Sequence, residues 1–446
     1  MNPVLNDILP PLEKLKKRLS QVDIARVNGR VEQVVGLVIE SSGPPASVGE
    51  ACWISAADGK SQPLLAEVVG FRQHRVLLMP LGEMRGLGPG SEVVRTGEPF
   101  KIAVGDALLG RVIDAMGKPL DGKGPLGPMK ENYPIHREPP PAMERRRIET
   151  PVVTGVRAID SLLTLGEGQR LGIFAGSGVG KSTLLGMVAR NTEADINVIA
   201  LVGERGREVR DFLEKDLGEK GLKRSVVIVA TSDQPSLVRI QAALVATAVA
   251  EYFRDRGKRV MLMMDSITRF AMAQREVGLA IGEPPTTKGY TPSVFALLPK
   301  LLERAGTTAH QGSITGLYTI LVEADDMNEP VADSCRAILD GHVVLSRELA
   351  SQNQYPAIDV LNSISRVMRD IVSPEQMEAA GKIRSVLATY KSVEDLVAIG
   401  AYVKGSNPTV DQALLRLESV RAFLRQTREE NAIWKETLMK MKAFLN

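Results

Sequence analysis

The stretch Leu171-Gly172-Ile173-Phe174-Ala175-Gly176-Ser177-Gly178-Val179-Gly180-Lys181-Ser182-Thr183 decides the fold of this chain. An apolar, β-leaning run (Leu171 to Ala175) enters a glycine-rich turn. A lysine and two hydroxyl residues follow, opening a helical stretch from Ser182 to Ala189. Strand, glycine turn and helix in that order are the context of a phosphate-binding loop. The glycines let the backbone curl with its N–H groups inward, and the helix N-terminus favours an anion. Lys181 would neutralise β- and γ-phosphates, and the Ser182 hydroxyl would bind Mg²⁺. Ala175 departs from the motif, which has glycine at its first position. A glycine turn without a ligand is the competing reading. It explains neither the lysine nor the hydroxyl.

Working outward, strands and helices alternate from about residue 150 to 373. Val198–Val202, Val226–Ala230, Val260–Met264 and Leu317–Val322 are short, apolar and β-leaning. Helical stretches such as Ser236 to Arg256 lie between the first of them. This pattern predicts an α/β fold with a parallel sheet covered on both faces. Arg259-Val-Met-Leu-Met-Met-Asp265 reads as a buried strand that delivers a carboxylate to the sheet's C-terminal edge. There Asp265 would support Mg²⁺ through water, and it could equally cap the next helix. Hydrolysis needs a group to orient water for in-line attack. Gly203-Glu204-Arg205-Gly206-Arg207-Glu208 follows the strand Val198–Val202, so Glu204 is the candidate catalytic carboxylate. Arg205 is a candidate γ-phosphate contact. A solvated charge cluster is the bland alternative.

The flanks differ. In residues 1–22 Leu5, Ile8, Leu12, Leu15 and Leu19 form a helix-spaced apolar stripe beside Lys14, Lys16, Lys17 and Arg18. The stripe fits either a helix packed on its own domain or a docking helix for a partner or an anionic membrane surface. From residue 23 to 98 short β-rich runs (Val31 to Ile39, Ala51 to Ile54, Leu64 to Phe71, Arg75 to Leu81) predict a small barrel or sandwich. Glu138-Pro-Pro-Pro141 reads as extended chain. Beyond Pro374 the strand signal fades, and residues 375–446 read as helices broken near Gly405 to Pro408.

Composition bounds the rest. The chain has 446 residues, 44% hydrophobic and 24% charged, so it is not largely disordered. Lys+Arg number 56 and Asp+Glu 53, a net charge of only +3 and no nucleic-acid footprint. No uncharged apolar run approaches a membrane span, and the N-terminus does not read as a secretory signal. Cys52 and Cys335 form no CxxC pair, which fits a reducing cytoplasm. Aromatics at 4% disfavour base-stacking platforms.

Taken together, Gly176 to Leu185, Gly203 to Glu208, Met264-Asp-Ser-Ile-Thr-Arg-Phe270 and Tyr355-Pro-Ala-Ile-Asp359 resemble the motifs of the type III secretion ATPases. These are the flagellar and injectisome export ATPases, homologous to F- and V-type catalytic subunits. Gly289 to Pro299 and Asp325 to Pro330 resemble the export branch, and within it the flagellar group. The resemblance implies a β-barrel domain (23–98), a RecA-like ATPase domain (99–373) and a C-terminal helical domain (374–446). It implies ATP and Mg²⁺ as cofactors and a homohexamer with sites between subunits. Tyr355 is similar to the tyrosine that stacks on adenine. Arg366, in Ser363-Ile-Ser-Arg366, is similar to the arginine finger that reaches a neighbour's γ-phosphate; read alone it is a lone charge. The Gly/Pro-rich loop from Gly278 to Pro292 would face a coiled-coil stalk protein in the ring centre. The first helix would meet a stator-like regulator. Export-gate membrane proteins and substrate-chaperone complexes are the other implied partners, at the cytoplasmic face of the cell membrane, with no nucleic acid. Two readings compete with an export ATPase. A non-catalytic nucleotide-binding ring subunit would lack a carboxylate at Glu204. A hexameric RNA translocase would carry basic and aromatic residues between Ile24 and Gly97, where Trp53 and Phe71 stand without a basic cluster.

Overall fold

A computed structural model of the chain describes residues 27–56, 62–129, 131–322 and 326–445. The apolar stripe of residues 1–22 lies outside the described residues. The chain divides into two units, Met1–Phe100 and Lys101–Asn446.

The first unit is a closed six-stranded barrel: β1 (Gly29–Val35), β2 (Val38–Ser41), β3 (Glu50–Ser55), β4 (Leu64–Arg72), β5 (Arg75–Pro80) and β6 (Glu92–Pro99), in the order β1-β2-β5-β4-β3-β6. Closure of β6 on β1 leaves no exposed strand edge. Val31, Ile39, Ile54, Val68, Leu78 and Val93 fill its interior. The run from Val31 to Ile39, expected as one strand, is a hairpin pairing Val35 with Val38. Gly36 turns it at φ +59°, a conformation that other side chains resist. β6 was not anticipated, because Val93 is its one fully buried residue and it carries no apolar run.

The second unit is built on a nine-stranded sheet. Its main path of eight strands runs β14-β13-β8-β12-β11-β9-β10-β7, and a ninth, Gly306–Thr307, pairs antiparallel with β12 off that path. These strands are β7 (Arg111–Asp114), β8 (Arg170–Ala175), β9 (Ile196–Val202), β10 (Ser225–Ala230), β11 (Arg259–Asp265), β12 (Ser313–Leu321), β13 (Gly341–Leu345) and β14 (Ile358–Ser365). The path is parallel from β13 to β7, and β14 closes one end antiparallel. All seven residues of β9 and all six of β10 are buried, as central strands covered by helices must be. Helix α1 (Lys181–Asn191) follows β8, and α2 (Gly206–Asp211) follows β9 and continues into a π-helical turn, Phe212–Leu217. Helices α3 (Ser236–Arg254) and α4 (Ile267–Ile281) flank β11 in sequence. Among the described residues α3 alone is long and apolar enough to cross a membrane. It is a core helix, 94% buried over its apolar window.

Helices α5 (Pro374–Ala398), α6 (Pro408–Leu424) and α7 (Trp434–Lys442) form the C-terminal part. Pro408 begins α6, and the Asn407 side chain accepts from the Thr409 and Val410 amides, which fixes the restart of the helix. Ile383, Val420 and Phe423 share one apolar core with Leu184, Ile173 and Val343. The helical part is therefore packed on the sheet beside α1.

Candidate active site

The parallel strands bring their C-terminal ends to one edge, where an open α/β sheet binds ligands. The loop Gly176–Gly180 leaves β8 there. Gly178 (φ +78°) and Gly180 (φ +94°) hold left-handed conformations, and α1 begins at Lys181. The Lys181 ammonium bonds the Asp265 Oδ1 atom and lies 3.4 Å from Glu204 Oε1. Asp265 ends β11, is 3% exposed, and accepts a second hydrogen bond from the Thr319 hydroxyl at 2.7 Å. Glu204 stands two residues past β9, its side chain 13% exposed. Lys181, Glu204 and Asp265 thus converge from three elements. Ser182 lies in the first turn of α1 beside them.

Their electrostatics follow from burial. Desolvation pushes the Glu204 carboxyl up to about 7, the charge of Asp265 adds to this, and Lys181 opposes it. Burial works against the Lys181 ammonium, but Asp265 and Glu204 outweigh it and hold the lysine above its ordinary value. The pocket pairs a firmly charged cation with a carboxyl that can exchange a proton near neutrality.

Other predicted residues stand differently. Arg205 points to solvent, 79% exposed, and pairs with Glu208 at 3.5 Å. The structure does not bring it into the Lys181 cluster: residue 205 caps α2 in an extended conformation, and its side chain leaves the edge. Tyr355 lies in the connection between β13 and β14. A Cβ on Gly180 would meet its ring at 3.8 Å, so the ring rests over the last loop glycine. Val179, Gly180, Thr183, Met187, Tyr355 and Arg428 line a largely apolar cavity of about 370 Å³ beside the loop.

Arg366 sits at the other edge of the sheet. Its amide donates to the Asp340 carbonyl, and Ser365 pairs with Gly341 at the start of β13. Register places Ala175 opposite Leu345 at the far end of β13. Four residue steps of strand, about 13 Å, separate the two levels. Arg366 cannot serve the loop of its own chain.

Two residues near the cluster escaped the sequence reading. Thr319 has no motif and is found only through the β11–β12 neighbourhood. Arg269, inside the quoted Met264–Phe270 segment, packs its Cβ 2.9 Å from where a Cβ on Gly203 would stand, and its buried Nε has no hydrogen-bond partner. A cation one turn into the helix after Asp265 was the available signal. Among the described residues no group of three or more His, Cys, Asp or Glu forms a metal cage.

Comparison with known proteins gives the same picture over most of the chain. The sequence model of the ATP synthase alpha/beta family nucleotide-binding domain matches residues 155–365, and that family's beta-barrel domain matches 31–97. The T3SS EscN ATPase C-terminal domain matches residues 372–443. A flagellum-specific ATP synthase of Bacillus subtilis (strain 168) is 57% identical over 422 residues, 94% of this chain and 95% of the relative. A type 3 secretion system ATPase of Xanthomonas euvesicatoria is 53% identical over 424 residues, 95% of each chain. The assembled ATPase EscN from the enteropathogenic E. coli type III secretion system superimposes with a TM-score of 0.87 at 45% identity, covering 94% of this chain and 100% of that one. EscN in complex with its central stalk EscO gives 0.86, also at 45% identity.

Proposed function

This chain belongs to the ATP synthase alpha/beta family, in the branch of flagellar and type III secretion ATPases, and we propose that its ATP hydrolysis drives type III protein export, in a flagellar system before an injectisome. The observation that carries the reaction is the convergence of Lys181, Glu204 and Asp265 at one strand edge. The amides of Gly176 to Gly180 would hold the phosphates, and Lys181 would turn from its carboxylates to the β- and γ-oxygens. Glu204 would take a proton from water as the water oxygen bonds the γ-phosphorus and the bond from that phosphorus to the β,γ-bridging oxygen breaks, releasing ADP and phosphate. Arg269, with its unpartnered Nε, would supply a further donor at the γ-phosphate side. The Ser182 hydroxyl and, through water, Asp265 would hold Mg²⁺, a site without a dedicated cage, as suits an ion that keeps waters and shares phosphate oxygens. When bound, that ion neutralises charge building on the phosphate oxygens. Tyr355 would stack on adenine.

Arg366 supports a ring. It stands at the edge away from its own loop, so a second copy would supply it as the finger. One chain carries both halves of the site, which supports a homo-oligomer, and the resemblance to the family makes that a homohexamer. The proposed partners are a coiled-coil stalk at the loop from Gly278 to Pro292, a stator-like regulator at residues 1–22, export-gate membrane proteins and substrate-chaperone complexes. The ring would work at the cytoplasmic face of the membrane. Glu204 disfavours the non-catalytic subunit, because that reading needs a site without a carboxylate at this position.

The decisive experiment replaces Lys181 with Ala and measures phosphate release from Mg²⁺-ATP. Turnover should vanish with nucleotide binding; near-normal turnover would remove the phosphate-site assignment.

A further inference from the structure

Arg366 carries an exposed side chain, yet the backbone that bears it is pinned by buried groups. Its amide donates to the Asp340 carbonyl at 3.0 Å. The preceding residue, Ser365, is buried, and its hydroxyl donates to the Thr164 carbonyl at 2.8 Å. The same hydroxyl accepts from Gln169 Nε2 at 3.1 Å, and that nitrogen also donates to the Asp340 carbonyl at 3.1 Å. Gln169 is wholly buried, and its Oε1 accepts from the Gly166 amide at 2.9 Å, which fixes the orientation of the side-chain amide. Asp340 is held in turn by Arg170, which donates two hydrogen bonds to its carboxylate at 3.0 Å each. Three separate segments therefore meet under Ser365: the connection after the short helix Arg157–Leu162, the residue before β8 and the residue before β13. The network also reaches the C-terminal helices. Gln376, the third residue of α5, is buried, and its Nε2 donates to the Thr164 hydroxyl at 3.0 Å and to the Asp160 carbonyl at 3.2 Å. Thr164 thus bonds Ser365 through its carbonyl and α5 through its hydroxyl.

We propose that Ser365 is a positioning residue that seats the base of Arg366, and that Gln376 ties this seat to α5. The seat rests on the reading of Arg366 as a finger for a neighbouring copy. Its physical basis is leverage. An arginine side chain is long and flexible, so a small rotation at its Cα grows into a large displacement of the guanidinium. A misplacement of about 1 Å at a reacting centre can cost about a hundredfold in rate. The guanidinium is exposed, so its aim depends on how firmly buried bonds hold the backbone beneath it. A shift of α5 would pass through Gln376 and Thr164 to Ser365, and so to the finger. Nucleotide binding is untouched, because Ser365 lies at the edge of the sheet away from Gly176 to Lys181.

The test uses the full-length chain with Ser365→Ala, which removes the hydroxyl and keeps Arg366. The kcat should fall about ten- to a hundredfold, with the Kd for ATP within about twofold of the unaltered chain. The loss should act across the interface. Mixed with Lys181→Ala, which keeps its own Ser365 and Arg366, Ser365→Ala should show more activity than the average of the two separate preparations. The double variant Ser365→Ala/Arg366→Ala should be no slower than Arg366→Ala alone, because the seat works only through the arginine. Gln376→Met removes the bonds from α5 and nearly keeps the volume. It should lower kcat about threefold in the same pattern, and it carries the test if Ser365→Ala does not fold. A weakened ATP affinity, an unchanged kcat, no gain on mixing where Arg366→Ala does gain, or a double variant slower than Arg366→Ala would each overturn the seat. An unchanged kcat in Gln376→Met alone would sever α5 from it. Near-normal turnover in Arg366→Ala would instead overturn the finger reading on which the seat rests.

Discussion

The two edges of one sheet hold their charged residues in opposite ways. At the C-terminal edge of the parallel strands Asp265 is buried and Lys181 and Glu204 are nearly so, and the lysine ammonium bonds both carboxylates. At the other edge Arg366 is exposed, and its guanidinium donates to the Arg336 carbonyl at 3.3 Å. The first group can be complete in a single chain. In the proposed ring the second would act on the phosphate edge of another copy. Binding would then need one chain, and full rate would need assembly as well.

The largest effect should come at the isolated edge. Arg366→Ala should lower turnover by about 10³- to 10⁵-fold while ATP binding persists. Mixing this variant with Lys181→Ala should restore activity, because some interfaces then pair an intact loop with an intact arginine. Mixed rings that form but stay inactive would break the comparison. Next, Glu204→Gln should bind ATP normally and lose about 10²- to 10⁴-fold in phosphate release. The pH dependence sharpens the same point. A carboxyl raised to about 7 loses its basic form as pH falls, so kcat/KM should drop about tenfold for each pH unit below that value. The slope should disappear in Glu204→Gln. Smallest, Thr319→Val removes one hydrogen bond to Asp265 and should raise the half-saturating Mg²⁺ concentration by about fivefold, with melting temperature as the control. No change would mean that Lys181 alone orients Asp265.

Legibility in the sequence followed this division. The phosphate edge was readable because strand, glycines, lysine and hydroxyl are consecutive, and because β9 and β11 are buried on both faces and so form unbroken apolar runs. The outer strands were not. β13 and β14 alternate buried with partly exposed residues, and β7 is only four residues long, so none rose above the surrounding loops. Arg366 and Tyr355 were visible only through resemblance; nothing in their local pattern sets them apart from a solvated arginine and a loop tyrosine. Arg205 was read from adjacency to Glu204, but the start of α2 turns neighbouring side chains in different directions.

A lysine held by two carboxylates has its charge matched before any substrate approaches. A bare polyanion that enters must break those salt links and then face Glu204 and Asp265 without a counter-ion. An anion that arrives already complexed to a dication meets no such repulsion. The pocket would therefore discriminate by the charge state of what it admits, and free inorganic phosphate and uncomplexed nucleotide should compete poorly for it.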